Sequence, residues 1–502
     1  MMIDFWVLGA GLLGLWLVAR SFYRLYLHPL AKFPGYKFTA LTHWYEGYYD
    51  VVKKGRYVWE FERMHRKYGP IVRIGPNELH ILDPGYYNTL YSMTNRIDKY
   101  DWFYSMMGNP EAMFATIRAE THKARRGAVA PFFSMRAVTA FYPHVQGGVT
   151  RLVNRMEECA KRGEPIPLFY AYRCLTVDII SEYVFGGQFG LLNRPDWGRD
   201  FYSAWRSMWE LSPVIRQIPI LMDIMMAMPR WVTAMINPKG LEVVDLFAAV
   251  DKQTKTLLEE TSESKIRAKP YPTVIWEVSR SDVLPPEEKT LRRLSIEANS
   301  LLAAGFETTA AVLSLLTFQV VSHPEVYKKL VDSLEKEIPD PNNMPDWQKL
   351  EKIPYLFGVV KESLRMDIGP TGRLARVNRN QPMKYKDWVI PAGTAVGMSA
   401  LYIEMNPDVF HDPGSFLPER WLEPGARERL EPYLATFGKG SRSCVGINLA
   451  YAELYSVAAT IFRRFSNLEV YETTERDMEA YHDYFGGMTR HERDGLKVRV
   501  KK

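Results

Sequence analysis

A glycine-rich segment near the C-terminus constrains the fold of this chain more than any other feature. It reads FGKGSRSCVG over residues 437–446 and places a single cysteine, Cys444, near its end. Gly440 permits a tight turn and a close approach to a flat ligand, and Phe437 can pack near the sulfur and keep water away. The apolar run after Gly446 has helical spacing, so its N-terminal N–H groups would lie beside the sulfur and favour thiolate over thiol. The segment therefore predicts a loop that presents one thiolate to a bound group.

The spacing F-x-x-G-x-R-x-C-x-G resembles the haem-binding signature of the cytochrome P450 monooxygenases. The resemblance implies that Cys444 holds the iron of haem b through a thiolate, a ligand that favours O–O cleavage. Arg442 offers a planar cationic fork for a haem propionate. The alternative interpretation is a glycine-rich surface loop whose cysteine is incidental.

Helical spacing dominates the rest of the chain. The longest predicted helix runs from about Thr290 to Ser322, and its apolar middle predicts burial through the core. Short strands are expected at residues 71–74 and 79–82, with a second β region over residues 383–398. We therefore expect a mostly α protein with a small β-rich region. The resemblance implies the cytochrome P450 fold.

A second motif, AGFETT at residues 304–309, lies in the middle of the long helix. Glycine and β-branched polar residues are poor choices there and need a reason. We expect Gly305 to make room for a flat cofactor and the Thr308 hydroxyl to bond the Ala304 carbonyl. Glu307 is expected to supply protons. The hexapeptide resembles the oxygen-activation motif of the same family; the alternative is a crossing of helices at small residues.

Further basic residues match the propionate-binding positions of the family. Arg376 follows a Gly-Pro-Thr-Gly segment and matches one such arginine. His122 and Arg126 match a W-x-x-x-R pattern in which histidine stands in place of tryptophan. A histidine can also donate a hydrogen bond to a carboxylate. The alternative for each position is a solvated basic face.

An E-x-x-R pair, Glu362 and Arg365, lies on one face of a predicted helix with apolar neighbours. Arg420 lies in a P-E-R-W segment that resembles the family's P-E-R-F. The resemblance implies a Glu–Arg–Arg network behind the haem. Its role would be structural, because it fixes the loop that carries Cys444.

The N-terminus reads as a membrane element. Residues 5–19 are continuously apolar, and the basic residues that follow, beginning with Arg20 and Arg24, favour a cytoplasmic downstream side. We expect an anchor over residues 1–28 and a catalytic domain over residues 29–502. The resemblance implies a single-pass protein of the endoplasmic reticulum membrane with a cytosolic catalytic domain. A cleaved signal peptide is the alternative.

Composition narrows the possible partners. Lysine and arginine number 64 against 58 aspartate and glutamate, a net charge of +6, and the basic residues are spread out, which argues against nucleic acid. Of the three cysteines, Cys159 and Cys174 form no C-x-x-C pair, so neither a disulfide framework nor a zinc site is predicted. Lys123, Lys439 and Arg442 are the expected docking face for an acidic protein.

The resemblance supplies the expected chemistry. It implies that electrons come from NADPH through NADPH–cytochrome P450 reductase, with cytochrome b5 as a further candidate donor. The narrower resemblance is to fungal microsomal members of the trichodiene-oxygenase type, which implies oxygen insertion into a lipophilic secondary metabolite such as a terpenoid. Two alternatives stay open: a haem-thiolate isomerase or dehydratase that needs no reductase, and a non-enzymatic haem- or ligand-binding membrane protein.

The substrate pocket is expected to be apolar. By the layout of the family, the Met- and Trp-rich segment from Trp205 to Met235 would cover it. The other candidate lining residues are Phe103, Met106, Met113, Leu301, Thr371, Phe485 and Met488.

Overall fold

The computed structural model describes residues 2–107, 110–236, 240–260, 269–367 and 369–501. Helices of eight or more residues are numbered here in chain order. They are α1 Met2–Phe22, α2 Tyr57–Tyr68, α3 Ala119–Val129, α4 Met135–Arg162, α5 Leu168–Phe185, α6 Arg199–Gln217, α7 Ile220–Ala227, α8 Gly240–Glu259, α9 Leu291–Ser322, α10 Pro324–Glu337, α11 Pro354–Met366 and α12 Ile447–Arg464. Shorter helices lie at Lys37–Leu41, Trp44–Gly47, Pro84–Leu90, Asp101–Tyr104, Arg230–Ile236, Val274–Ser279, Trp347–Leu350, Leu401–Glu404, Ala426–Leu430 and Glu475–Met478.

The strands are short and sit beside the helical body. They are β1 Ile71–Gly75, β2 Glu78–Ile81, β3 Asp98–Lys99, β4 Arg376–Val377, β5 Met383–Tyr385, β6 Trp388–Ile390, β7 Ala395–Gly397, β8 Leu468–Val470, β9 His482–Asp483, β10 Gly487–Met488 and β11 Val498–Val500. A five-stranded sheet has the order β1-β2-β7-β4-β3, in which only the β2–β7 pairing is parallel. Hairpin-like pairs β5–β6, β9–β10 and β8–β11 are antiparallel. The mostly α class with a small β region is confirmed.

Helix α9 is the longest of the described helices and runs through the core. It begins after Thr290, whose hydroxyl caps the helix by accepting from the Arg293 N–H at 3.3 Å, and it ends before His323-Pro324. Its 32 residues span about 48 Å at 1.5 Å per residue. Helices α5 and α12 pack against it, and α4 packs against both of them, in the largest hydrophobic cluster. The predicted bounds of this helix are confirmed.

Helix α1 stands apart from the core. The span Trp6–Leu27 has 22 residues, a mean hydropathy of 1.3 and no buried share, so it is long and apolar enough to cross a membrane. The chain then joins the body of the protein: the Arg73 guanidinium donates to the Arg24 carbonyl at 3.0 Å, and Leu30 and Phe33 are buried against the sheet. The contacts of the chain with the sheet thus begin at Arg24.

A buried histidine pair braces the sheet. His65 Nδ1 donates to the Gly69 carbonyl at 2.7 Å, which leaves His65 Nε2 to accept from His80 Nδ1 at 2.8 Å. His80 Nε2 in turn accepts from the Ser399 N–H at 3.2 Å. Both rings must be neutral for this chain of hydrogen bonds to hold. Burial agrees with that assignment, because it lowers the pKa of His65 to about 4 and that of His80 well below its ordinary value.

Candidate functional site

The cysteine loop folds as the glycine pattern predicts. Gly440 has a φ of +72°, in the left-handed region that favours glycine, and a Cβ there would lie 2.2 Å from the Tyr91 carbonyl oxygen. The Cys444 N–H donates to the Phe437 carbonyl at 2.8 Å and closes the loop. Gly446 is the N-cap of α12, so Cys444 lies two residues before the cap. The loop therefore holds Cys444 at the start of a helix, as expected.

The Cys444 thiol is affected by opposing influences. The pKa of the thiol is raised, because burial raises it and the Gly446 N–H and the Arg126 guanidinium offset only part of that rise. Arg126 also donates to the Ser443 carbonyl at 2.6 Å and so holds the residue next to the cysteine. Although protein atoms closely surround its sulfur, Cys444 borders solvent-accessible space, whereas Cys159 and Cys174 are buried. Of the three thiols, only Cys444 is thus presented to a ligand.

Several cations gather beside this loop. The Arg442 guanidinium donates to the carbonyls of Thr116 and Ile117 at 2.5 and 2.8 Å, and Arg376 donates to the Tyr104 hydroxyl at 3.1 Å. Burial, and then Arg376, lower the pKa of Arg442 to about 10. The structure therefore brings Arg442 and Arg376 together, although 66 residues of sequence separate them.

Lys99, a cation that sequence reasoning missed, completes a cation cluster with Arg126, Arg376 and Arg442, and the neutral His122 lies beside it. Burial, followed by Arg442 and Lys99, lowers the pKa of His122 to about 2, so the imidazole is neutral. Lys99, on β3, has its pKa lowered by burial and by the same two arginines, Arg376 and Arg442. No local sequence pattern marks Lys99, since β3 has two residues and pairs with β4 far along the chain.

The cation cluster fits a group with two carboxylates. Arg376 and Arg442 lower the pKa of Lys99, and Arg376 and Arg126 lower that of Arg442. All four cations lower the pKa of His122. The hydrogen-bond acceptors described for the four cations are backbone carbonyls and hydroxyls. Such a concentration of mutually repelling buried cations is stabilised by an anion. The donor set, one accessible thiol beside several cations, therefore fits haem with its two propionates.

The centre of α9 has two faces with different partners. Thr308 Oγ1 donates to the Ala304 carbonyl at 2.8 Å, as predicted, and both residues are solvent-accessible although most of the helix is buried. Gly305 points elsewhere: a Cβ on it would lie 2.8 Å from Ile180 of α5. The expectation that Gly305 makes room for a cofactor was therefore wrong, because its hydrogen permits close packing of α9 on α5.

Glu307 is not an isolated carboxylate. Two nitrogens of the Arg173 guanidinium, on α5, donate to this carboxylate: Nε donates to Oε2 at 3.0 Å, and Nη2 donates to Oε1. Burial alone would lower the pKa of Arg173, but the Glu307 carboxylate raises it. Asp367 is also affected by the charge of Glu307: burial, and then the Glu307 carboxylate, raise the pKa of Asp367 to about 7. Sequence reasoning missed both Arg173 and Asp367, which lie far from Glu307 along the chain.

The predicted Glu–Arg–Arg network is present. Glu362 Oε1 accepts from Arg365 at 2.7 Å and from Arg420 at 3.0 Å, and its Oε2 accepts from the Trp421 indole at 2.9 Å. All four side chains are buried. Because every carboxylate oxygen has a charged or indole donor, the network can keep its charges in the interior.

Aromatic side chains from several elements meet one another near α9. The Phe485 ring lies 5.3 Å from Phe114 and 6.2 Å from Phe103, centroid to centroid, and 6.4 Å from Trp209. Trp205 meets Phe306 of α9 at 5.2 Å. The predicted positions Phe103 and Phe485 thus meet, and Phe114 was missed.

The segment from Trp205 to Met235 divides into two parts. On α6, Trp205 and Trp209 face the aromatic cluster, whereas Trp231 and Met235 are 68% and 76% exposed. The last turn of α6 is held by Arg216, which pairs with Glu46 at 3.0 Å and with Asp50. Only the first part of the segment therefore covers the expected pocket.

The remaining predicted lining residues have mixed surroundings. Met113, Leu301 and Met488 are buried, Met106 Sδ lies 3.2 Å from Arg216 Nη1, and Thr371 donates to Asp483 at 2.7 Å. Of the expected docking residues, Lys123 is exposed, Lys439 donates to Asn88 at 2.8 Å, and Arg442 belongs to the cation cluster.

Comparison with known proteins gives a single family. The family model described as "Cytochrome P450" matches residues 40–495. The chain is 37% identical over 498 residues to cytochrome P450 monooxygenase sdnE of Sordaria araneosa, covering 97% of this chain and 96% of that protein. It is 36% identical over 481 residues to tryptophan 6-hydroxylase fscE of Fusarium equiseti, with coverage of 95% and 94%. It is also 36% identical over 482 residues to conidiogenone synthase PchP450 of Penicillium rubens, with coverage of 96% and 96%.

Proposed function

Because the chain belongs to the cytochrome P450 family and is a monooxygenase, we propose that it inserts one oxygen atom of O2 into a lipophilic secondary metabolite, with a terpenoid as the first candidate. The observation that carries this proposal is the aromatic cluster of Phe103, Phe114, Trp209 and Phe485, which Trp205 joins to α9. Large apolar rings favour a bulky uncharged ligand over a small polar one.

In this proposal Cys444 is the thiolate ligand of haem b, and Gly440 and Gly446 shape its loop. Phe437 packs on Tyr451 at 5.3 Å between ring centroids and shields the sulfur. The cation cluster of Arg126, Arg376, Arg442 and Lys99 receives the propionates, and the neutral His122 beside it donates a hydrogen bond to one of them. When bound, haem supplies the activation of dioxygen and the transfer of one oxygen atom.

Thr308 and Glu307 manage protons in the same proposal. The Thr308 hydroxyl, on the accessible face of α9, positions water for proton delivery. Glu307 must loosen its ion pair with Arg173 before it can exchange a proton with that water, since both carboxylate oxygens accept from the guanidinium. In this proposal, the ion pair with Arg173 holds the Glu307 carboxylate in place in the resting protein and opens during turnover.

Electrons come, we propose, from NADPH through NADPH–cytochrome P450 reductase, with cytochrome b5 as an auxiliary donor. The anchor over residues 1–28 holds the protein in the endoplasmic reticulum membrane, and residues 29–502 form the cytosolic catalytic domain. The exposed apolar span Trp6–Leu27 and the exposed Trp231 and Met235 support membrane attachment. Lys123 is the exposed cation we expect at the reductase interface.

A second substrate class is an indole. One relative is named as a tryptophan 6-hydroxylase, and the aromatic cluster around Phe485 would stack on an indole ring as readily as it packs on a terpenoid. The test is to express the full chain with a fungal reductase in a host that is fed terpenoids in one culture and tryptophan derivatives in another. A product heavier by one oxygen, formed only with reductase and NADPH, supports the proposal.

The same experiment tests the two alternative functions, a haem-thiolate isomerase or dehydratase and a non-enzymatic binding protein. An isomerase or dehydratase would form its product from a peroxide without the reductase. A binding protein would shift its absorption spectrum on adding a ligand and form no product. Either outcome with haem-loaded protein would contradict the proposed monooxygenation of these substrates.

A further inference from the structure

Glu297 is a buried carboxylate in the half of α9 that precedes the AGFETT motif. It is 1% exposed, in a helix whose neighbouring side chains are mainly apolar. Its Oε2 atom accepts from the Met113 backbone N–H at 3.0 Å and from Arg293 Nη2 at 2.6 Å. A buried carboxylate is costly unless it is paired and hydrogen-bonded. The contact with Met113 joins α9 to a segment 184 residues away in sequence.

The charge of Glu297 is balanced by an alternating chain of ions. Arg293 also donates from Nε to Glu288 at 2.8 Å, and Glu288 accepts from Arg125 of α3 at 2.7 and 2.9 Å. The order Arg125–Glu288–Arg293–Glu297 alternates in sign and sums to zero. Burial would raise the pKa of Glu288, but the two arginines lower it. The chain of ion pairs therefore links α3, the turn before α9, and α9 itself.

Residues 112–117 are held at their other end by the haem-side cations. Arg442 donates to the Thr116 and Ile117 carbonyls, and Lys99 donates to the Phe114 carbonyl. Arg125 donates to Thr116 Oγ1 at 2.8 Å and so joins the two sets of contacts. We call residues 112–117 the strap. Its first part is fixed by Glu297, and its last part is fixed by the loop that carries Cys444.

The strap positions one wall of the proposed pocket. Phe114 packs edge-on against Phe485 at 5.3 Å. At 100° per residue, Glu297, Leu301, Ala304 and Thr308 fall within about 60° of arc on α9, and Glu297 lies about 10 Å along the axis from Ala304. The contact of Glu297 with the strap is therefore on the same stripe of the helix as the accessible residues Ala304 and Thr308.

We propose that Glu297 is a positioning residue that fixes the strap, and with it Phe114, and thereby sets the size of ligand that the pocket accepts. This inference rests on the proposed function, because it assumes that ligands bind between Phe114 and α9. It does not require Glu297 to touch the ligand. Its effect is on the shape of the pocket and not on the oxygen chemistry at Thr308.

The test uses haem-loaded full-length protein and two probes that coordinate haem iron, imidazole and 1-phenylimidazole. Glu297→Ala removes the acceptor for the Met113 N–H, whereas Glu297→Gln keeps an acceptor oxygen of the same reach. Glu335→Ala, at an exposed carboxylate on α10, is the matched control. The readouts are the dissociation constants of both probes and the amide hydrogen exchange of peptides that cover the strap.

We expect Glu297→Ala to speed exchange in the strap by about tenfold or more, because a hydrogen bond to a charged acceptor is lost. The ratio of the two dissociation constants should shift by about fivefold or more, since the cost of one misplaced aromatic contact is of that order. Glu297→Gln should recover most of both effects, and Glu335→Ala should match the wild type. Wild-type exchange and an unchanged ratio in Glu297→Ala would overturn the inference.

Further measurements distinguish a failure of the variant to fold, and a failure of the proposed function, from a failure of this inference. If Glu297→Ala fails to load haem, Glu297→Gln carries the test, and a failure of Glu297→Gln to retain wild-type exchange in the strap would count against the acceptor role. A wild-type protein that lacks the red-shifted thiolate band with carbon monoxide would instead refute the proposed haem site. A shifted ratio with an intact band supports the positioning role.

Discussion

Two glycines of the cysteine loop can be compared to measure how much the close packing of this loop contributes to stability. Gly438 and Gly440 both have positive φ, +60° and +72°. A Cβ on Gly438 would meet no atom within 4 Å, whereas one on Gly440 would lie 2.2 Å from the Tyr91 carbonyl oxygen and 2.7 Å from that of Ser92. The two alanine variants therefore share the same backbone strain and differ in the collision.

The magnitude follows from these contacts. Left-handed backbone costs an alanine roughly 1–2 kcal/mol, which is the whole expected effect of Gly438→Ala. Overpacking against fixed atoms adds roughly 1–3 kcal/mol. Tyr91 cannot retreat, because its hydroxyl accepts from the Met398 N–H at 3.0 Å and its ring is buried. We expect Gly440→Ala to destabilise the haem-loaded protein by about 2–5 kcal/mol in total.

The assay is loss of the thiolate band of the reduced, carbon-monoxide-bound protein during urea titration, at one protein concentration. Gly438→Ala should shift the midpoint slightly, and Gly440→Ala should shift it further or yield little haem-loaded protein. If Gly440→Ala were no more destabilising than Gly438→Ala, the packing of the loop on Tyr91 would not be a determinant of the site.

Four further outcomes are expected. Cys444→Ala should abolish the thiolate band with carbon monoxide, because the other cysteines are buried away from the loop; persistence of the band would refute the ligand assignment. Thr308→Ala should keep haem and ligand binding but lower coupling, with product per NADPH falling on the order of a hundredfold and hydrogen peroxide rising; wild-type coupling would contradict the proton role. Deleting residues 2–22 should weaken membrane association in a flotation assay yet leave a haem-loaded protein, since the Arg24 contact with the sheet remains; loss of haem loading would contradict this separation. Stability to urea should depend on pH less steeply in His65→Gln than in the wild type between about pH 6.5 and about pH 4, because the wild-type folded state holds His65 neutral while its unfolded chain takes up a proton there; equal slopes would contradict it.

The loop and the long helix were predictable because their determinants are local. Glycine spacing specifies the turn around Cys444, and the capping threonine and the following proline specify the ends of α9. The Glu362–Arg365 pair was predictable for the same reason, since three residues on a helix share a face. Each of these features needs only residues that are close in sequence.

The partners of the charged groups could not be read from the sequence. Arg173 meets Glu307 across 134 residues, and Glu297 meets Met113 across 184. Helical periodicity tells which face a residue occupies but not which element covers that face. The same limit explains Gly305, whose small size serves the packing on Ile180 of α5 and not the cofactor side.

Substitutions of the polar residues of α9 would differ in how many contacts with other elements they disturb. Glu297 and Glu307 each hold an ion pair and a contact with another element, so neutralising either one disturbs packing as well as charge. Thr308 donates within its own helix, to the Ala304 carbonyl, and faces accessible space. Removing its hydroxyl leaves every described contact between α9 and its neighbours in place. A change in coupling caused by Thr308→Ala would therefore report on proton delivery itself, whereas the same change caused by Glu307→Gln would combine proton delivery with the release of Arg173.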